Sequence, residues 1–132
     1  DRRSRSSVSS HTIWEEIGGF ARATREGNQI FVSGTTATDH RGQRICAASV
    51  EAQAVFILDK ILLAVRTLGG TQTDIVRTRI YITNPDDWEV VTQVHGRYFS
   101  TSRPANTLVV VNKIIGDYPL EIEADAVLRP ST

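Results

Sequence analysis

The sequence predicts an α+β domain in which two helices pack on one face of a mixed β-sheet. The chain has 132 residues, which is enough for one core of ordinary size but not for two. Its hydrophobic fraction of 40% and charged fraction of 23% are typical of soluble globular domains. Apolar residues recur with periods of two and about 3.6, in the order strand, strand, helix, strand, helix, strand, strand.

The first part of the chain is predicted to be a disordered tail over residues 1–12, followed by a single domain over residues 13–132. The tail is rich in Arg and Ser and lacks the apolar segment of a secretory signal. It can be the remnant of a transit peptide, an expression-vector remnant or a plain solvated tail. Because the chain has one cysteine, we expect a reducing compartment, the cytoplasm, with mitochondria as the alternative.

The domain is predicted to begin with a β-hairpin. Two short extended runs, Phe20–Arg25 and Gln29–Ser33, are joined by Glu26-Gly27-Asn28. Gly and Asn between two such runs are typical of a tight turn.

The first predicted helix follows Ser49, a residue type that caps helix N-termini, with Glu51 in the first turn. Gly69-Gly70 provides the stop signal. Apolar residues between these signals keep helical spacing: Val50, Ala54, Ile57, Leu58, Ile61, Leu62, Val65 and Leu68.

A third strand and a second helix are predicted next. The run Ile75–Thr83 alternates, with Arg77, Arg79 and Tyr81 on one face, opposite Val76, Thr78, Ile80 and Ile82. Asn84-Pro85-Asp86-Asp87 combines an N-cap, a first-position proline and first-turn acids. The helix it opens is expected to bury Trp88, Val91, Val94, Tyr98 and Phe99.

The last two strands are predicted over Asn106–Val111 and Leu120–Leu128. In the final strand Glu121, Glu123 and Asp125 alternate with apolar residues, so acids and bases are expected to share the helix-free face of the sheet. This face is either solvated, with exposed ion pairs worth about 0–1 kcal/mol each, or it meets other subunits.

The composition disfavours several functions. The formal net charge is zero, so no overall field favours nucleic acid or an anionic membrane as a partner. One cysteine and three histidines without ligand spacing disfavour a metal site. We expect no cofactor, and a small molecule as the ligand.

A set of short motifs occurs in order along the chain: Ile17-Gly18-Gly19-Phe20, Gly27-Asn28, Val32-Ser33-Gly34, Asp74-Ile75-Val76-Arg77-Thr78, Asp87-Trp88, Arg103-Pro104-Ala105 and Leu120-Glu121-Ile122-Glu123-Ala124. Together these motifs resemble the Rid family, which is also called the YjgF, reactive intermediate deaminase or L-PSP endoribonuclease family. The resemblance runs from about residue 17 to about residue 128 and implies a chorismate-mutase-like fold, a homotrimer and a small-molecule pocket at each subunit interface.

The resemblance implies hydrolysis of enamines and imines to 2-keto acids and ammonia. In family deaminases the first Glu of Glu-Ile-Glu manages the attacking water, and Glu121 stands at that position. The family's carboxylate-binding Arg follows Pro-Ala, where this chain has Asn106. An amide cannot replace a charged, bidentate guanidinium, so we expect the substrate not to be a simple 2-imino acid.

Other implied substrate-binding positions also differ from the family pattern. Thr107 stands at a family Cys or Ser, Phe20 at a Tyr, and Thr92 at a helix Asn, while Ser33 lies within a matching motif. Arg22 replaces a Gln and shares a strand face with Phe20, so it either returns a guanidinium to the pocket or pairs with a surface acid.

The leading functional hypothesis is therefore a trimeric small-molecule enzyme or binder that hydrolyses or tautomerises a reactive imine, enamine or enol compound. The alternative is a non-catalytic ligand-binding or chaperone-like trimer. Ribonuclease activity is the least favoured hypothesis, since the chain has no basic stripe and no His pair.

Overall fold

The computed structural model describes residues 5–130, and within that range it contains a six-stranded sheet and three α-helices. Short 3-10 turns lie over Gln72–Asp74 and Pro85–Asp87. The elements in chain order are β1 Arg5–Val8, α1 Ile13–Gly18, β2 Ala23–Glu26, β3 Gln29–Thr35, α2 Val50–Thr67, β4 Ile75–Ile82, α3 Trp88–Phe99, β5 Ala105–Val110 and β6 Leu120–Val127.

The sheet is mixed, as predicted, with the strand order β1-β2-β3-β6-β4-β5. The last strand in the chain, β6, lies in the middle and is antiparallel to both β3 and β4. The other late strand, β5, is parallel to β4 and forms one edge of the sheet. The start of β6 is therefore flanked by strands on both sides.

Helices α2 and α3 pack together on one face of the sheet and cover the core, which confirms the predicted layers. Helix α2 begins as expected, because the Ser49 side chain accepts a hydrogen bond from the Ala52 amide at 3.0 Å. Its buried stripe packs against residues of the central strands: Ile57, Leu58 and Ile61 of the helix, and Ile30, Ile80, Leu120 and Ile122 of the sheet.

The predicted first hairpin is present as β2 and β3, and Gly27 in its turn has a positive φ of 60°, which glycine adopts without steric cost. Strand β2 begins at Ala23, later than the predicted Phe20.

The segment before residue 13 differs from the predicted tail. Arg5–Val8 forms the edge strand β1, antiparallel to β2, and Arg5 forms an ion pair with Glu26 at 2.6 Å. A polar segment without its own apolar stripe is held here by backbone pairing to a strand distant in sequence, which local composition does not reveal. Residues 1–4 lie outside the described range.

Two predictions of inward-facing residues are wrong. Val76 is 45% exposed and Ile75 is buried, because the pairing of β4 with β6 is irregular between Ile75 and Arg77 and changes the face that residues before Arg77 occupy. Trp88 is 54% exposed, at the first residue of α3.

The helix-free face of the sheet carries paired charges, as the alternation predicts. Arg79 on β4 lies 3.2 Å from Asp125 and 3.7 Å from Glu123 on β6, and the Tyr81 hydroxyl donates a hydrogen bond to Glu123. These side chains remain about one-third exposed in the single chain.

Among residues 5–130 there is no helix of the length and hydrophobicity that crossing a membrane requires.

Candidate functional site

A cavity of about 570 Å³ opens at the end of the sheet where β3 ends and β6 begins. Helix α1, the middle of α2 and the loop after β5 complete its wall. Its polar and charged lining residues are Thr12, Arg22, Thr36, Thr38, Lys60, Tyr81, Lys113, Tyr118 and Glu121.

Arg22 lies in the wall of this cavity and is 6% exposed. Its Nε donates to a carboxylate oxygen of Glu15 at 3.4 Å. Its Nη1 donates to the Gly34 carbonyl at 2.6 Å and to the Thr35 hydroxyl at 3.0 Å. These contacts fix the guanidinium plane, and they leave both Nη2 hydrogens without a partner among the described residues.

Glu15 holds Arg22 from the side away from the cavity. Its carboxylate accepts hydrogen bonds from the hydroxyls of Ser9 and Thr12, each at 3.0 Å, and from the Ser10 amide at 3.0 Å and the Ser10 hydroxyl. Burial acts to raise the pKa of Glu15, but the hydrogen bonds from Ser10 and Thr12 and the charge of Arg22 outweigh it and lower that pKa to about 2. Glu15 is therefore a fixed anion behind Arg22.

Glu121 is half-buried in the cavity wall, opposite the backbone of Gly34. A Cβ atom on Gly34 would lie 2.6 Å from Glu121 Oε2, so the absence of a side chain at position 34 makes room for this carboxylate. Burial raises the pKa of Glu121 and the charge of Glu123 adds to the effect, while Arg22 opposes both. The carboxylate thus holds its proton at higher pH than an exposed Glu does.

Lys60 brings a second cation into the cavity from α2. Its Nζ donates to the Thr38 carbonyl at 3.2 Å. Burial lowers the pKa of Lys60, the charge of Arg22 lowers it further, and Glu15 and Asp39 act in the opposite direction.

A row of hydroxyls lies along one side of the cavity. The Tyr118 hydroxyl is hydrogen-bonded to the Thr38 hydroxyl at 2.6 Å, and Thr38 is hydrogen-bonded to Thr36 at 2.7 Å. Tyr118 and Thr38 are both buried, so this row is a fixed part of the wall.

The mouth of the cavity is apolar. Its large side chains are exposed by 43% at Phe20, 45% at Trp14, 74% at Ile17 and 82% at Ile115. The guanidinium carbon of Arg22 lies 5.7 Å from the centre of the Phe20 ring, within range of a cation–π interaction. The site therefore combines an apolar entrance with an inner wall of two cations, a carboxylate and hydroxyls.

The predicted site residues fall into separate groups in the single chain. Phe20, Arg22 and Glu121 line the cavity together, whereas Ser33 donates to the Ala21 carbonyl at 2.8 Å and lies outside the lining. Thr107 is exposed on the edge strand β5, in register with Arg79.

Of the other two predicted residues, Asn106 lies on the edge strand β5 and Thr92 lies on helix α3. Asn106 Nδ2 donates to the Thr78 hydroxyl at 3.0 Å, and that hydroxyl is 2.8 Å from His95 Nε2 on α3. Thr92 is exposed one turn before His95. Asn106 and Glu121 therefore do not meet within one chain.

Sequence reasoning missed Lys60, Tyr118 and Glu15. Lys60 carried a signal, since it stands at helical spacing from Ile57 and Ala64, both buried, and a lysine within an apolar stripe is unusual. The other two lie in segments without periodic pattern.

Across residues 5–130 no cluster of three or more His, Cys, Asp or Glu side chains is arranged to hold a metal ion.

The mixed sheet with helices on one face, and a cavity at its end, defines an α+β domain of the chorismate-mutase-like class. Residues 11–128 match the family described as Endoribonuclease L-PSP. The chain belongs to this family, which is also known as the YjgF or Rid family.

Individual relatives agree with this assignment. A RutC family protein of Pyrococcus horikoshii is 27% identical over 110 residues, which cover 83% of this chain and 87% of the relative. A Mycobacterium tuberculosis member of the YjgF/YER057c/UK114 family has a crystal structure with a TM-score of 0.85 and 36% identity, covering 95% of this chain and 100% of that one. E. coli TdcF, solved with bound serine, has a TM-score of 0.76 and 25% identity, covering 83% and 88% of the two chains.

Proposed function

We propose that the protein is a small-molecule hydrolase or tautomerase that acts on a reactive imine, enamine or enol compound bound in the cavity beside Glu121. The observation that carries the proposal is the half-buried carboxylate of Glu121, which faces a cavity with hydroxyls and the inner-wall cations Arg22 and Lys60. A carboxylate in such a position can accept a proton from an attacking water or move a proton between carbon and nitrogen.

The electrostatics of the site suit proton transfer. Burial raises the pKa of Glu121, which makes its carboxylate a stronger base than an exposed one. Arg22 remains within range to stabilise the ionised form. A carboxylate with a raised pKa and a cation nearby can both take up and release a proton, which proton-transfer catalysis requires.

We further propose that the working unit is a homotrimer with clefts between subunits, as is typical of the family. The edge strand β5 has unpaired backbone groups, and its Val109 and Val110 are 41% and 50% exposed. Asn106 and Thr107 lie on this strand and Thr92 is exposed on α3, so a neighbouring copy can bring them to the Glu121 cavity of another subunit.

The substrate class follows from the polar groups. TdcF, which this chain resembles, was solved with bound serine, a small molecule that carries a carboxylate. Arg22 and Lys60 favour an anionic group in this cavity as well. Since position 106 holds an amide rather than a guanidinium, we propose a substrate other than a simple 2-imino acid.

Ammonia release from a panel of imines and enamines, measured with wild type and Glu121→Gln, tests this function. Loss of a general base commonly costs about 10²–10⁴-fold in rate, so we expect turnover to fall by that amount while the fold is kept. Asp125→Asn is the matched control, since Asp125 lies four residues further on the same strand and outside the cavity. Equal turnover of Glu121→Gln and wild type would refute the role of Glu121.

One observation favours the alternative, a ligand-binding or chaperone-like trimer without turnover. Three of the five N–H donors of Arg22 bond to the protein itself, so much of this guanidinium serves the fold. Saturable ligand binding with no product from any imine, enamine or enol would support this alternative and refute the hydrolase.

A further inference from the structure

Both lysines of the chain line the cavity, but their surroundings differ. Lys113 is on the rim, 71% exposed, and it lies 3.4 Å from Asp117. Lys60 is on the inner wall and half-buried, and no carboxylate within residues 5–130 comes within 4.0 Å of its Nζ. The inner wall thus holds an ammonium group without an ion-pair partner in the described chain.

The hydrogen-bond donors of this wall are only partly used. An ammonium group has three N–H donors, and Lys60 uses one of them on the Thr38 carbonyl. Arg22 has two unused donors on Nη2. Each cation therefore keeps two charged N–H groups for a ligand.

The two cations are also close enough to repel one another. The charge of Arg22 acts together with burial to lower the pKa of Lys60. Glu15 is engaged by Ser9, Ser10 and Thr12 and lies behind Arg22, so it offsets this repulsion only in part. Cations held in a partly desolvated wall are stabilised when an anion enters between them.

We propose that Lys60 and the Nη2 edge of Arg22 form the anion subsite of the cavity and bind the carboxylate of its ligand. The inference deepens the proposed function, on which it rests for the location of the ligand. The apolar mouth formed by Phe20 and Trp14 then takes the carbon skeleton. Lys60 on α2 and Arg22 in the segment before β2 then supply the positive charge that position 106 lacks.

Calorimetric titration of the full chain with benzoate and with its neutral isostere benzamide tests this subsite. We expect wild type to bind benzoate at least tenfold more tightly than benzamide, and Lys60→Met to lose at least tenfold in benzoate affinity, since a charged hydrogen-bond partner is removed. Lys60→Arg should restore part of the affinity.

Lys113→Met is the charge-matched control, because it removes the same charge from the exposed rim, where we expect less than about a twofold effect. The proposal is overturned if wild type fails to prefer benzoate, or if Lys60→Met and Lys113→Met bind benzoate equally well.

A second measurement uses the wild-type chain alone and so does not depend on how Lys60→Met folds. Reductive methylation followed by peptide mass spectrometry reports the reactivity of each lysine. Saturating benzoate should protect Lys60 and leave Lys113 reactive. Equal methylation of Lys60 with and without benzoate would contradict the subsite.

Glu121→Gln separates this inference from the proposed function. Because the substitution removes a negative charge from the cavity, benzoate should bind to it as tightly as to wild type or more tightly. Binding of this kind without any turnover in wild type would refute the hydrolase and leave the subsite standing. Turnover that depends on Glu121 but not on Lys60 would refute the subsite and leave the hydrolase standing.

Discussion

The substitution Glu15→Gln tests how the segment before β2 holds Arg22. In the folded chain the pKa of Glu15 is lowered from 4.5 to about 2, which corresponds to about 3 kcal/mol of stability at about 1.4 kcal/mol for each pH unit. Glu15 is 5% exposed, so solvent screens little of this energy. Removal of one partner from a buried ion pair commonly costs about 3–5 kcal/mol, which agrees with the linkage value.

The pH dependence follows from the direction of the shift. A carboxylate with a lowered pKa in the folded state stabilises the fold fully above its unfolded value of 4.5, and the contribution is lost as the pH falls from there towards about 2. We therefore expect wild type to exceed Glu15→Gln by about 3 kcal/mol at pH 7 and by much less near pH 2. Urea unfolding at a series of pH values measures the difference.

Glu16→Gln is the matched control, because Glu16 is the next residue of α1 and is exposed. Its free energy of unfolding should stay within about 0.5 kcal/mol of wild type. A difference between wild type and Glu15→Gln that is the same at pH 7 and near pH 2 would refute the reasoning, since it would not depend on the ionised carboxylate.

Three further outcomes are expected. Gly34→Ala should keep the fold but lower turnover by about 10²-fold, because the new Cβ displaces the Glu121 carboxylate from its place 2.6 Å away; unchanged kinetics would contradict this. Thr38→Val should cost about 1–3 kcal/mol in urea unfolding, since it leaves the buried Tyr118 hydroxyl without its partner, and a neutral effect would contradict the role of the hydroxyl row. Light scattering should give three times the chain mass, and a monomer at micromolar concentration would refute the trimer.

The elements that the sequence predicted well are those with a local cause. Helix α2 has a capping Ser49, a glycine stop and an apolar stripe of helical period, and the structure has it over Val50–Thr67. The turn between β2 and β3 needs a positive φ, and Gly27 supplies it. Each signal lies within a few residues of the feature that it predicts.

The features that were missed depend on contacts distant in sequence. β1 exists because it pairs with β2, and the fixed position of Arg22 depends on Glu15 and the hydroxyls of residues 9–12, inside the predicted tail. The exposure of Val76 follows from an irregular register with β6. No window along the chain contains these pairings, so neither composition nor periodicity could reveal them.

The candidate site also depends on contacts between residues distant in sequence. These contacts explain why the positive charge of the site lies at Arg22 and Lys60 rather than at position 106. At position 106 the amide donates to the Thr78 hydroxyl, which leaves the hydroxyl proton for His95 Nε2, and burial lowers the pKa of His95, so this edge favours neutral groups. A guanidinium at the same place would lose that network. In the cavity beside Glu121 the Glu15 carboxylate instead holds Arg22 in place, and Lys60 reaches the same space from α2. A carboxylate ligand should therefore bind with its charge towards α2 rather than towards the edge strand. The atoms of the ligand that react should then face Glu121.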